Sequence, residues 1–319
     1  MLELPNAGVQ PLTELAAIAE REGNLGETIS RLSKAREMDP DNVVIQIRLI
    51  RALARSGDGD AALRTARKLR DRFPENSAVM EELGRAEYSF GKIEDAAVAY
   101  RRMESLVYGN TDRTLTAARY QLTVNDLSGA YETLNRALVA DSDHLGLLET
   151  IVGVEAQLKR FDDALTRASQ LTSLLPGNPL GDKLRGDVFV RQQRFEDAAQ
   201  AYSDALAKQE TGDLLIRRYL AQKKSGIKAP PLAPLEAWVA KHPNDYPVRS
   251  ALAAGYLTVR NIPAAQVLYE QLNREQPNGP MVLNNLAEIY LEAGDERALA
   301  LAEAAYKLAP KQPETLDTL

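Results

Sequence analysis

The chain has 319 residues and no cysteine. That excludes disulfides, thiolate metal sites and cysteine nucleophiles, and leaves the redox compartment open. Histidine is almost as scarce, with His144 and His242 alone. Aromatic residues make up 6%, and Trp238 is the single tryptophan. No apolar run approaches the roughly 18 residues that a membrane-spanning helix needs, so no direct membrane insertion is expected. The segment from Met1 to Gly8 has neither the basic start nor the apolar core of a signal sequence. A net charge of −6 argues against a nucleic-acid binder, which needs a basic face for phosphates. What the chain does have is 45% apolar residues, with many alanines among them, as closely packed helices require.

Those small residues recur. Thr28, Ala62, Ala96, Ala130, Ala164 and Ala198 each follow the last by 34 positions. A second ruler of helix-ending signals runs through Pro40, Pro74, Tyr108, Ser142, Pro176, Glu210, Pro243, Pro277 and Pro310, at steps of 34 or 33. Proline followed by Asp, Asn or Gly stops one helix and opens the turn before the next. A fixed period of this length is the signature of stacked helix–turn–helix units, so the fold class is all-α, an α-solenoid. In the third unit the pattern predicts a first helix from about Ala78 to Phe90, a turn at Gly91, and a second helix from Ile93. Acidic pairs in the first turn of the second helix recur as Glu94-Asp95, Asp162-Asp163 and Glu196-Asp197, and suit a helix N-terminus better than catalysis.

The alanine ruler has a steric cause, because a larger side chain would push the two helices of a unit apart. Ala16, Gly84, Ala118, Gly186, Ala253 and Ala287 take the same part on the first helix, and Tyr100, Tyr202 and Tyr269 fill a larger hole on the second. Ile50 and Val152 depart from the small residue, which predicts looser or shifted packing there. Small residue on the first helix, Ala then Tyr on the second, and a closing Pro together resemble the tetratricopeptide repeat over nearly the whole chain. The resemblance implies a right-handed superhelix of about nine repeats and no cofactor. Repeats one to six span 9–210. An irregular seventh covers 211–245, with Pro230, Pro231 and Pro234 in a long loop and a late second helix packed by Leu235 and Trp238. Two more repeats follow over 246–319, and a partial terminal helix from Pro313 is expected to be open to self-association.

The C-terminal third is more specific. Leu235 to Trp238, His242 to Asp245, Leu283 to Ala287, Arg297 to Glu303 and Asp317 to Leu319 are similar to segments of PrsT-type repeat proteins, as is Leu184 to Asp187. These are bacterial tetratricopeptide proteins associated with exosortase/PEP-CTERM sorting and exopolysaccharide loci. The resemblance implies that this chain is the C-terminal part of such a protein and acts at the cell envelope.

In such solenoids the first helices line the inner wall, and positions 34 apart lie side by side. Arg51, Arg85 and Arg119 satisfy that spacing, and Arg48 and Arg55 extend the cluster at one-turn intervals. Arginine forks suit carboxylates and phosphates. The expected ligand is an acidic or extended protein segment, with an anionic polysaccharide as the alternative. Glu81, Glu82 and Glu149 lie near enough to pair with the same arginines instead. Tyr88 is the one aromatic platform expected beside them, which favours a protein over a sugar. Glu81, Arg85 and Thr116 stand where a chaperone-tail clamp would have Lys and Asn, so that reading is rejected. Asn284, Asn285, Glu288 and Glu292 are secondary candidates in the ninth unit, the two asparagines being expected to bond to backbone.

Catalysis is not expected. The two histidines fall at corresponding loop positions three repeats apart, so no His-based metal site forms. There is no phosphate-cradling Gly-Lys-Ser/Thr loop, and Gly57 to Asp60 reads as an inter-helix turn. Three functions remain: an envelope scaffold for protein partners, a binder of acidic polysaccharide, and a cytoplasmic assembly scaffold.

Overall fold

The computed structural model describes residues 8–107 and 109–310, and among them are eighteen α-helices and no strand. The chain divides after Lys159 into two compact units, a boundary that falls between the two helices of the fifth expected repeat. The first unit holds α1 (Val9–Arg21), α2 (Leu25–Met38), α3 (Val43–Arg55), α4 (Gly59–Arg72), α5 (Ser77–Ser89), α6 (Ile93–Leu106), α7 (Thr111–Thr123), α8 (Leu127–Ala140) and α9 (Leu145–Gln157). The second holds α10 (Phe161–Leu174), α11 (Leu180–Arg191), α12 (Phe195–Lys208), α13 (Gly212–Lys224), α14 (Ala233–Lys241), α15 (Tyr246–Thr258), α16 (Ile262–Glu275), α17 (Pro280–Glu292) and α18 (Arg297–Leu308). Within each unit every helix packs on the next in sequence. The first helix of a repeat also packs on the first helix of the following one, α3 on α5, α7 on α9 and α13 on α15.

The turns are closed by backbone geometry and capping. The turn between the two helices of a repeat holds a left-handed residue at a constant place: Gly23, Gly57, Gly91, Asn125 and Lys159, then Gln193, Gly226, Arg260 and Gly294. The next N–H reaches back to a carbonyl of the first helix, as in Lys92 to Glu87 at 2.8 Å and Arg194 to Phe189 at 2.9 Å. This six-to-one bond satisfies a carbonyl that a helix end leaves open. Outside the seventh and ninth repeats, whose second helices are capped by Leu232 and Glu296, the same residue then serves as N-cap of the second helix. Asn24, Asp58, Asp126 and Asn261 do so with a side-chain oxygen. Lys92, Arg160 and Arg194 have none to offer, and their helices are the ones that carry two acids in the first turn. The acidic pairs thus take over the electrostatic part of a missing cap. Asp163 and Asp197 also bind the basic N-cap residue before them, at 2.9 and 2.7 Å.

The small-residue ruler is the packing seam. Thr28, Ala62, Ala96, Ala130, Ala164 and Ala198 are all fully buried. Gly84 lies against the ring of buried Tyr100, and Gly186 against Tyr202, so closely that a Cβ on either glycine would overlap the ring. The looser packing expected at Ile50 does not occur. Ile50 is buried in one cluster with Ala66, which stands where the next repeat has Tyr100. Size is exchanged between the two positions, Ile with Ala in the second repeat and Gly with Tyr in the third, and the density of the core is kept. Val152 is equally buried.

The seventh repeat has the late second helix that its prolines predict. Leu235 is buried, and the Trp238 Nε1 donates to Asp245 at 2.8 Å. The histidines do not occupy corresponding positions. His144 is the N-cap of α9, where its Nδ1 accepts from the Leu147 N–H, whereas His242 is the C-cap of α14, its ring tilted against Trp238. The spacing of the two histidines is 98 residues, four short of three periods, which moves the second across a helix end. The expected terminal helix from Pro313, and with it self-association through that helix, lies outside the described residues.

Candidate functional site

The arginines expected on the inner wall lie on α3, α5 and α7, each with carboxylates at different reach. Arg48 and Arg55, two turns apart on α3, converge on Glu20 of α1 at 3.2 and 2.8 Å. Arg48 also donates to the Thr13 carbonyl at 3.3 Å. Arg51 donates from Nε and Nη2 to one oxygen of Glu82, both at 2.8 Å. Glu82 is buried while Arg51 is half exposed, so the guanidinium covers a carboxylate that has little other access to solvent. That hydrogen bond raises the Arg51 pKa above its ordinary value.

One repeat on, the arrangement loosens. Arg85 stands 3.9 Å from Glu81, a residue one turn back on the same helix. Glu81 is held instead by the Tyr120 hydroxyl, which donates to it at 2.9 Å. Tyr120 stacks on Tyr100 with ring centroids 4.8 Å apart, so the carboxylate hangs from a tyrosine that rests on the one filling the Gly84 seam. Burial first, and then Glu81, push the Tyr120 pKa up. Arg119 is exposed and makes no ion pair among the described residues. Tyr88 is exposed as expected, on the α5 stripe of Glu81 and Arg85. Glu149 is exposed and takes no part in pairing these arginines.

The secondary residues sit differently. Asn284 is buried and donates to Glu288 at 3.1 Å, while Asn285 donates to the hydroxyl of buried Tyr269 at 2.8 Å. Both bond to side chains, not to the backbone as expected. Asp187 gives buried Tyr202 a partner in the opposite sense, accepting from its hydroxyl at 2.6 Å. Buried tyrosines need such partners, which gives these polar residues a packing role. Glu288 and Glu292 remain exposed.

Two residues central to this wall are not singled out by the sequence. Glu20 precedes Arg55 by 35 residues, close to one repeat, and Tyr120 follows Glu81 by 39. The period that aligns the arginines brings both to the wall. No group of His, Asp and Glu that could hold a metal is found among the described residues. None of their helices is long and apolar enough to cross a membrane.

Known proteins resemble the chain in the same terms. The tetratricopeptide repeat family profile matches residues 19–80, and a tetratricopeptide repeat-like domain profile matches residues 102–229. Among solved structures, yeast Tom70 is similar with a TM-score of 0.56 at 15% identity, covering 99% of this chain and 88% of its own. A tetratricopeptide repeat protein from Parabacteroides merdae gives 0.53 at 13% identity, covering 89% and 98%. At such identities the likeness speaks to the fold alone. No curated protein sequence matches.

Proposed function

We propose that this chain, which carries tetratricopeptide repeats, is a scaffold for protein partners, and that the inner wall of its first unit holds an acidic, extended partner segment. Solenoids of this kind present long binding surfaces rather than closed reaction pockets. The observation that carries the reading is the state of Arg85 and Arg119. Both expose guanidiniums on first helices of successive repeats, one held only loosely and the other unpaired among the described residues. Tyr88 stands beside Arg85 on α5 and offers a half-exposed ring to an apolar or aromatic neighbour in the same segment. Arg48, Arg51 and Arg55 are already met by Glu20 and Glu82, so they frame this end of the wall and contribute less to binding. Tyr120 is committed to Tyr100 and Glu81, which leaves Tyr88 as the exposed ring on this wall for a sugar face and supports a protein ligand over an acidic polysaccharide.

The setting proposed is the bacterial envelope, in exopolysaccharide production or the sorting of PEP-CTERM proteins. Its support is the resemblance of the segments around Trp238, Asn284 and Arg297. The test is capture from bacterial envelope extract by the full chain and by an Arg85→Glu/Arg119→Glu variant, with folding checked by circular dichroism. A protein retained by the unaltered chain and lost about tenfold by the variant supports the inner-wall site. Equal capture removes it, and capture of polysaccharide alone replaces the protein partner with the alternative ligand.

A further inference from the structure

The opposite side of the first unit carries a second basic surface, and in one of its grooves most of the charges are left open. The second helices of neighbouring repeats are separated by grooves. The groove between α2 and α4 has a volume of about 450 Å³ and is walled by Arg36 from α2 and by Arg64, Lys68 and Arg72 from α4. Glu37 is the single carboxylate among its lining residues. Arg72 is committed: it pairs with Asp41 and donates to the Pro40 carbonyl at 3.1 Å. Gln46, a buried lining residue, donates to that carbonyl as well, at 2.8 Å. Arg36, Arg64 and Lys68 make no hydrogen bond or ion pair among the described residues.

The groove one repeat further on is the internal control. Between α4 and α6 the lining includes Arg67, Arg70 and Arg102, yet Glu87 and Asp95 are built into the same walls. Arg67 reaches both, at 3.4 and 3.1 Å, and Arg70 pairs with Asp71. Arg102 there bonds Ser105 at 3.4 Å, so each arginine of that groove has a partner, whereas three of the four cations in the α2/α4 groove have none among the described residues.

We propose that the α2/α4 groove binds an acidic, extended segment of a partner protein, separately from the inner wall. The spacing of its cations supports that occupant. Arg64 and Lys68 lie one turn apart, about 6 Å along the helix axis. In an extended chain, residues on one face repeat about every 6.7 Å. Carboxylates at alternate positions therefore meet Arg64 and Lys68 in turn, with Arg36 closing from the facing helix. The guanidinium of Arg64 takes a carboxylate with two parallel bonds, and the Lys68 ammonium acts as a point charge. The chain as a whole is acidic, at −6, so an acidic ligand is drawn to its basic patches, this groove among them.

The experiment is fluorescence anisotropy of a labelled peptide of about ten residues with aspartate at every second position, titrated with the full chain. Saturable binding is expected, weakening as salt screens the pairs. Arg64→Glu/Lys68→Glu should lower affinity about tenfold or more, and the neutral Arg64→Gln/Lys68→Gln should lower it less. Both positions are exposed, so both variants should keep the helical circular dichroism of the parent. Arg85→Glu/Arg119→Glu on the inner wall should leave a saturable component that the outer-groove variants remove. The proposal is overturned by equal affinity in the outer-groove variants, by loss confined to the inner-wall variant, or by absence of saturation. Binding of a single-stranded oligonucleotide in place of the peptide would overturn it as well.

Discussion

The two sides of the first unit are both rich in arginine and differ in how the arginines are answered. On the inner wall Arg48, Arg51 and Arg55 are met by Glu20 and Glu82, and Glu82 is itself buried. On the outer side the α4/α6 groove is answered by Glu87 and Asp95, while the α2/α4 groove is not answered beyond Arg72. A row of cations at the repeat period therefore says little about ligands. The position of the carboxylates decides, because a buried carboxylate recruits the nearest guanidinium for its own solvation, and an exposed cation without one stays available. The comparison can be broken by disturbing what holds the carboxylates in place, and sharpened by removing arginines from each side in turn.

The strongest disturbance is at Gly84. A methyl group there overlaps the Tyr100 ring, and Tyr100 carries the stack on Tyr120 that holds Glu81. Gly84→Ala should cost about 3 kcal/mol, at the upper end for overpacking, because the ring is fully buried. In a Tyr100→Leu background the same change should be nearly neutral, since Ala118 and Leu134 stand at these places one repeat later and are both fully buried. Urea unfolding of the four variants of this cycle gives the coupling directly. Additive effects would show that the glycine is not there for the ring.

The seam at Gly84 is legible in the sequence because a small residue every 34 positions points straight to close helix packing. The left-handed turn has the same period and is hidden, because Asn125, Lys159, Gln193 and Arg260 take the place of glycine there and break the pattern. The compensation of Ile50 by Ala66 is hidden for a related reason, since a single position shows one side chain and packing depends on the sum of two. On the wall, the arginine register follows from the period, but Glu20 and Tyr120 belong to neighbouring repeats, and their pairing depends on side-chain reach across helices. The outer groove escapes a reading that assigns binding to first helices, because Arg36, Arg64 and Lys68 all stand on second helices.

The direct test of the contrast removes one arginine from each side. Arg51→Ala leaves Glu82 buried and without its cation, at a cost of about 2 kcal/mol. Arg64→Ala exposes nothing and should stay within about 0.5 kcal/mol of the parent. Thermal unfolding of the two variants side by side should separate them clearly. Equal stability would mean that Glu82 finds solvent or another donor, and that the inner arginines are as free as the outer ones.

The smallest expected effect concerns the groove that is answered. Burial raises the Glu87 pKa, Asp95 raises it further, and Arg67 only partly offsets them. A carboxyl whose folded pKa is raised favours the folded state when protonated. That contribution is complete below the ordinary carboxylate value of 4.5 and is lost as pH rises through the folded pKa. At neutral pH the ionised Glu87 is therefore a net burden. Glu87→Gln should stabilise the chain there, by about 0.5 kcal/mol, the size usual for a charge with one exposed partner. The gain should shrink on acidification and vanish below about pH 4.5, where both side chains are neutral. Stability measured against pH for the two proteins would give converging curves. Curves that ran parallel would mean that Glu87 does not titrate with folding, and a destabilised variant at neutral pH would mean that Arg67 outweighs burial. In that case the answered groove would be held together by its ion pairs, and the open α2/α4 groove would be missing a stabilising element rather than offering a vacant one.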